Sequence, residues 1–160
     1  MQAIILVLII AIFLMSILYL TKRRFGVMGL ALIAGQALIS LWSGSIPMIA
    51  ATIGLPSIGA FSGVTIITLL ILFLPVVLLL FGGPTYTTKS ARLVGSLLFA
   101  LLSLVLSAEI LRGSLILIGN DLVVFNVISQ YRTPILSIAI AVAVIDLMSA
   151  HSSKLIPKKR

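Results

Sequence analysis

The chain has 160 residues, of which 61% are hydrophobic and 9% charged, with a mean hydropathy of +1.36. That composition lies outside the range of soluble domains and reads as an integral membrane protein. Its net charge of +8 does not indicate nucleic-acid binding, because seven of the eleven Lys and Arg lie at positions 22 to 24 and 154 to 160, flanking apolar spans. With no Cys, one His and three acids, neither a disulfide nor a dedicated metal centre is expected, and no cofactor is implied.

Residues 2 to 20 carry no charge, and a helix of that length crosses a hydrocarbon core of roughly 30 Å. They end at Thr21-Lys22-Arg23-Arg24, the densest cluster of charge before position 88. A secretory signal has its bases ahead of the apolar region and a cleavage site after it. Here the order is reversed, which predicts an uncleaved transmembrane helix with the amino terminus outside and residues 22 to 24 in the cytoplasm.

A second span covers residues 25 to 42 and ends at Trp42, suited to a membrane interface. Gly26, Gly29, Gln36 and Ser40 recur at spacings of 3, 7 and 4, which puts them on one side of the helix. Small residues there permit close helix approach, and Gln36 reads either as interhelical glue or as an amide that contacts a substrate. Residues 43 to 63 hold four Gly and two Pro and enclose the apolar piece Met48 to Leu55, too short to cross. An outer loop with a short interfacial helix is expected, a re-entrant segment being the alternative.

The third span, about residues 64 to 81, has Pro75 in its interior and should kink there. Gly82-Gly83-Pro84 stops it, and Lys89 and Arg92 assign the following loop to the cytoplasm. In the fourth span, residues 93 to 111, Ser96, Ala100, Ser103 and Ser107 recur at 4, 3 and 4 as a seam for helix packing. Glu109 near its outer end reads as an i,i+3 ion pair with Arg112, or alternatively as a transport carboxylate. Residues 113 to 133 are apolar but broken at Gly119-Asn120-Asp121. Asp121 is placed there as N-cap of a short amphipathic helix on the outer interface.

The last span runs from about Pro134 to Ala150, with Pro134 at the first helical position. Ala139, Ala143, Asp146 and Ala150 share one face, so Asp146 should point into the bundle. A carboxylate at the centre of a membrane helix costs on the order of 3 kcal/mol, which makes Asp146 a functional candidate. Its place one turn from the cytoplasmic end also allows an interfacial role satisfied by water, His151 or Lys154. Together these spans predict an all-α, polytopic membrane helix bundle of about five transmembrane helices. Interfacial segments lie in its two outer loops. Residues 1 to 150 form one transmembrane domain, and residues 151 to 160 a basic cytoplasmic tail.

The turn Lys22-Arg23-Arg24-Phe25-Gly26, the glycines Gly29 and Gly35, and the later Ala91-Arg92-Leu93-Val94-Gly95 resemble landmarks of the colicin V production protein family. Its members are small bacterial inner-membrane proteins with a Gly- and Arg-rich turn after the first helix. The resemblance covers most of the chain in order, through short motifs. No intact Gly-Phe-Arg-Gly-like turn is present, and residues 134 to 150 look like a more complete span than the family's. The resemblance implies a role in the cell envelope or in export, without enzymatic chemistry.

The residues themselves point the same way. Small-residue faces outnumber nucleophiles, bases and ligands within the spans, as expected for a non-enzymatic protein that packs with itself or with partner subunits in the bilayer. The alternative is a transporter or channel subunit that uses Asp146 and Gln36. A membrane enzyme acting on lipids is disfavoured, because the chain lacks the paired carboxylates or His-based site that hydrolysis needs.

Overall fold

A computed structural model describes residues 2–54, 57, 61–113 and 120–155. They form seven helices: α1 (Gln2–Thr21), α2 (Phe25–Trp42), α3 (Ile46–Ile53), α4 (Gly63–Leu80), α5 (Lys89–Arg112), α6 (Asn120–Gln130) and α7 (Arg132–Leu155). There is no strand among the described residues. Helices α2, α4, α5 and α7 are long and apolar enough to cross a membrane, and α1 adds the shorter apolar stretch Val7–Thr21.

The turn after α1 and the turn after α4 are bound to each other. The Tyr86 N–H donates to the Lys22 carbonyl at 2.8 Å, and the Arg24 N–H donates to the Pro84 carbonyl at 3.2 Å, around an antiparallel bridge between Arg23 and Thr85. Lys22 lies in the left-handed region, φ 57°. That conformation costs a non-glycine residue about 1–2 kcal/mol, which the paired backbone groups help to offset. Helices α2 and α5 therefore start from the same end of the molecule, and α1 and α4 finish there. The carboxyl-terminal part of α7 returns to that end too, where Arg24 meets Asp146 and Ser149. Two parallel central helices, α2 and α5, are thus flanked by α1, α4 and α7 running the other way. Helix α1 packs on α5, α4 on α2, and α7 on both central helices.

The core fills the space between these helices with Leu18, Phe25, Met28, Leu32, Leu72 and Phe99. Lipid tails are as apolar as Leu, so association depends on close packing more than on removal of apolar area from water. Gly35 makes this visible: a Cβ there would lie 2.2 Å from the Leu72 carbonyl oxygen of α4. Without a side chain the two backbones can touch.

Several details depart from the sequence reading. The seam of Gly26, Gly29, Gln36 and Ser40 is divided. Gly26 faces α7, Gly29 lies beneath the ring of Phe25, Ser40 is exposed, and the closest approach to α4 is made by Gly35. A central helix has neighbours on several sides, so one face does not describe it. Helix α5 starts four residues earlier than expected, and α7 starts at Arg132 and reaches Leu155. Pro134 is then third in its helix, still within the first turn, where an N–H has no intrahelical partner. Pro75 lies inside α4, as expected. The short apolar helix ends at Ile53, closed by Gly54 at φ 64°, and packs Ile46 and Ala50 against Ile67 of α4. Leu55, Gly119 and residues 156–160 lie outside the described residues.

Candidate functional site

The charged side chains described in the bundle gather at its two ends. At the basic end, the first turn of α2 presents backbone N–H groups that have no partner within their own helix. Asp146 of α7 supplies one: its Oδ2 accepts from the Gly26 N–H at 2.8 Å. The Phe25 N–H donates to the Tyr86 hydroxyl at 3.2 Å. Asp146 thus caps α2 from a different helix, where negative charge also favours the positive end of the helix dipole. Gly26 makes room for this, since a Cβ there would lie 2.6 Å from the Ala143 carbonyl and 3.1 Å from Asp146 Oδ2.

Arg24 closes the arrangement. Its Nη1 donates to the Asp146 carbonyl at 3.1 Å and to Ser149 Oγ at 3.2 Å, and lies 3.8 Å from Asp146 Oδ1. The guanidinium sits 5.4 Å from the centre of the Tyr86 ring. Arg23 does the complementary work on α4, donating through Nε to the Leu80 carbonyl at 3.0 Å and through Nη1 to the Gly83 carbonyl. A cation on the last carbonyls of a helix is favourable for the same electrostatic reason that an anion is at its start. Tyr86 packs against α5, where a Cβ at Gly95 would come within 2.6 Å of its ring. Burial pushes the Tyr86 phenol above its ordinary 10.0; the Phe25 N–H opposes the shift and the charge of Asp146 adds to it.

At the opposite end, Glu109 pairs with Arg132 of α7. Arg112 turns instead to Asn126 of α6, 2.9 Å away. The expected Glu109–Arg112 pair is therefore replaced by two links between helices, because α6 and α7 bring better-placed partners to the end of α5. Asp121 falls inside the first turn of α6 and is buried.

The remaining residues singled out by sequence lie along the bundle. Ser96, Ala100, Ser103 and Ser107 are all buried on α5. Ser96 Oγ donates to the Leu93 carbonyl at 2.9 Å and Ser103 Oγ to the Phe99 carbonyl at 2.7 Å, which satisfies both hydroxyls within their own helix. Gln36 is half-buried, and its Oε1 has no hydrogen-bond partner among the described residues. It stands ten residues beyond Gly26, about 15 Å along α2, so Gln36 and Asp146 belong to separate places. The side chains of His151 and Lys154 lie outside the described residues.

Sequence reasoning missed Tyr86, the contact of Gly35 with α4 and the partnership of Arg24 with Asp146. The Arg24 and Asp146 positions are 122 residues apart, and no local pattern joins them. Among the described residues no group of three or more His, Cys, Asp or Glu is placed to hold a metal ion. No family model, no curated protein and no solved structure matches the chain.

Proposed function

We propose that this chain is a non-enzymatic protein of the bacterial inner membrane that acts in the cell envelope or in export by packing with itself or with partner subunits. The observation that carries this reading is the engagement of Asp146. The one acid placed well inside a span-length helix binds the Gly26 N–H and Arg24, so it ties α7 to α2. An acid used in this way favours a structural role over a proton or ion pathway. The exposed side of α7, with Ile138, Ile145 and Met148 each about two-thirds exposed, is available to lipid or to another helix. The resemblance to colicin V production proteins supplies the envelope and export part of the proposal.

In this reading α1 joins α2, α4, α5 and α7 as a fifth transmembrane span. The amino terminus lies outside and the carboxyl terminus in the cytoplasm, because the bases at 22 to 24 and at Lys89 and Arg92 occupy one end. Extraction from native membranes in mild detergent, followed by light scattering and mass spectrometry of co-purified proteins, tests the assembly. A complex with itself or with defined partners is expected. A strictly monomeric protein that co-purifies with nothing overturns the proposal.

The Oε1 of Gln36, without a hydrogen-bond partner among the described residues, is the specific feature that favours a transporter or channel subunit instead. That alternative requires loss of flux in Asp146→Asn and in Gln36→Leu while assembly stays intact.

A further inference from the structure

An open apolar groove of about 560 Å³ lies where α1 meets the beginning of α5, lined by Ile12, Met15, Ser16, Tyr19, Leu20 and Leu93. At its basic end the Arg92 guanidinium stacks over the ring of Tyr19, 3.9 Å from the centroid. The Nε of Arg92 is buried and has no hydrogen-bond partner among the described residues. None of the three acids of the chain serves this cation: Asp146 is beside Arg24, Glu109 pairs with Arg132, and Asp121 is on α6 at the opposite end. A half-buried guanidinium with no carboxylate beside it among the described residues, stacked on a ring that lines an apolar groove, has the chemistry of a site for an amphiphilic anion.

The dimensions select its kind. From Leu20 back to Ile12 the groove follows about 12 Å of helix, close to one leaflet of hydrocarbon, about 15 Å deep. We infer that this groove binds one anionic phospholipid, with its phosphate at Arg92 and an acyl chain laid along Leu20, Met15 and Ile12. Lys22 and Lys89, both exposed near the same end, add attraction for an anionic headgroup. The inference rests on the membrane reading above but not on any role in export.

Full-length protein in a neutral detergent, titrated with phosphatidylglycerol or with phosphatidylcholine of matched chains, tests it by native mass spectrometry. One phosphatidylglycerol is expected to be retained at least about tenfold more tightly than phosphatidylcholine. Arg92→Gln should abolish that preference, whereas Lys89→Gln, which removes only a peripheral charge, should lessen it without abolishing it. Ser16→Phe, at an exposed position that the groove uses, should weaken retention with Arg92 still present, and it decides the matter if Arg92→Gln fails to fold. Equal retention of the two lipids by the unaltered protein overturns the inference, as does full retention of phosphatidylglycerol in Ser16→Phe. Displacement of the lipid by millimolar glycerol 3-phosphate overturns it as well, because the anion would then bind without the groove. Flotation of the unaltered protein with membranes separates the two readings. An embedded protein without lipid preference loses only the lipid site, while a protein absent from membranes loses the proposed function too.

Discussion

Asp146 links three features that a single substitution can separate: a capped helix start, a charge pair and a contact between α2 and α7. Asp146→Ala removes the acceptor for the Gly26 N–H and leaves Arg24 without its carboxylate. Thermal unfolding in detergent should show a loss of about 1–3 kcal/mol. Asp146→Asn keeps a capping oxygen, since Asn and Asp cap helices about equally well, and should lose less. Equal stability of Asp146→Ala and the unaltered protein would remove the clamp from this account. Tyr86 adds a dependence on pH. Its folded value lies above the ordinary 10.0, so the fold favours the neutral phenol. That contribution is fully present below pH 10 and is lost as pH rises through the folded value. Stability should therefore fall more steeply above pH 10 in the unaltered protein than in Tyr86→Phe, and parallel curves would contradict the environment described for the phenol.

At the scale of elements, the two central helices use different devices. Helix α2 brings its backbone against α4 at Gly35, so Gly35→Leu forces the helices apart, whereas Ala34→Leu extends into open space. The first should cost about 1–3 kcal/mol or more, in the range of overpacked cores, and the second should be nearly neutral. Comparable unfolding temperatures for the pair would show that the approach is not tight. Helix α5 instead buries a seam of small residues. Ala100→Leu should destabilise the bundle, and Leu97→Phe, on an exposed position, should be tolerated. The seam was legible because 4, 3 and 4 spacing is a property of one helix. The division of the α2 face was not legible, because which residues of α2 meet α4 and which meet α7 depends on where those helices lie.

For the whole molecule, the pairing of the turns at 22 to 24 and 84 to 86 brings the ends of four helices together, and the proposed orientation makes that end cytoplasmic. The chain has no native Cys, so a single Cys at position 89 gives an uncluttered reporter. It should react with an impermeant maleimide in inverted vesicles and not in intact cells, and labelling from outside would reverse the orientation. The sequence by itself determined that the chain is helical and built of apolar spans, and where its bases lie, because span length and charge are local properties of consecutive residues. It also marked Asp146 as exceptional, since a carboxylate stands out against such a background. Only the tertiary structure decided what Asp146 touches, that Arg23 holds the end of α4, and that Glu109 meets Arg132 instead of Arg112. Those contacts join residues far apart in sequence, and their existence follows from the relative rotation and placement of whole helices, which no spacing within a single helix encodes.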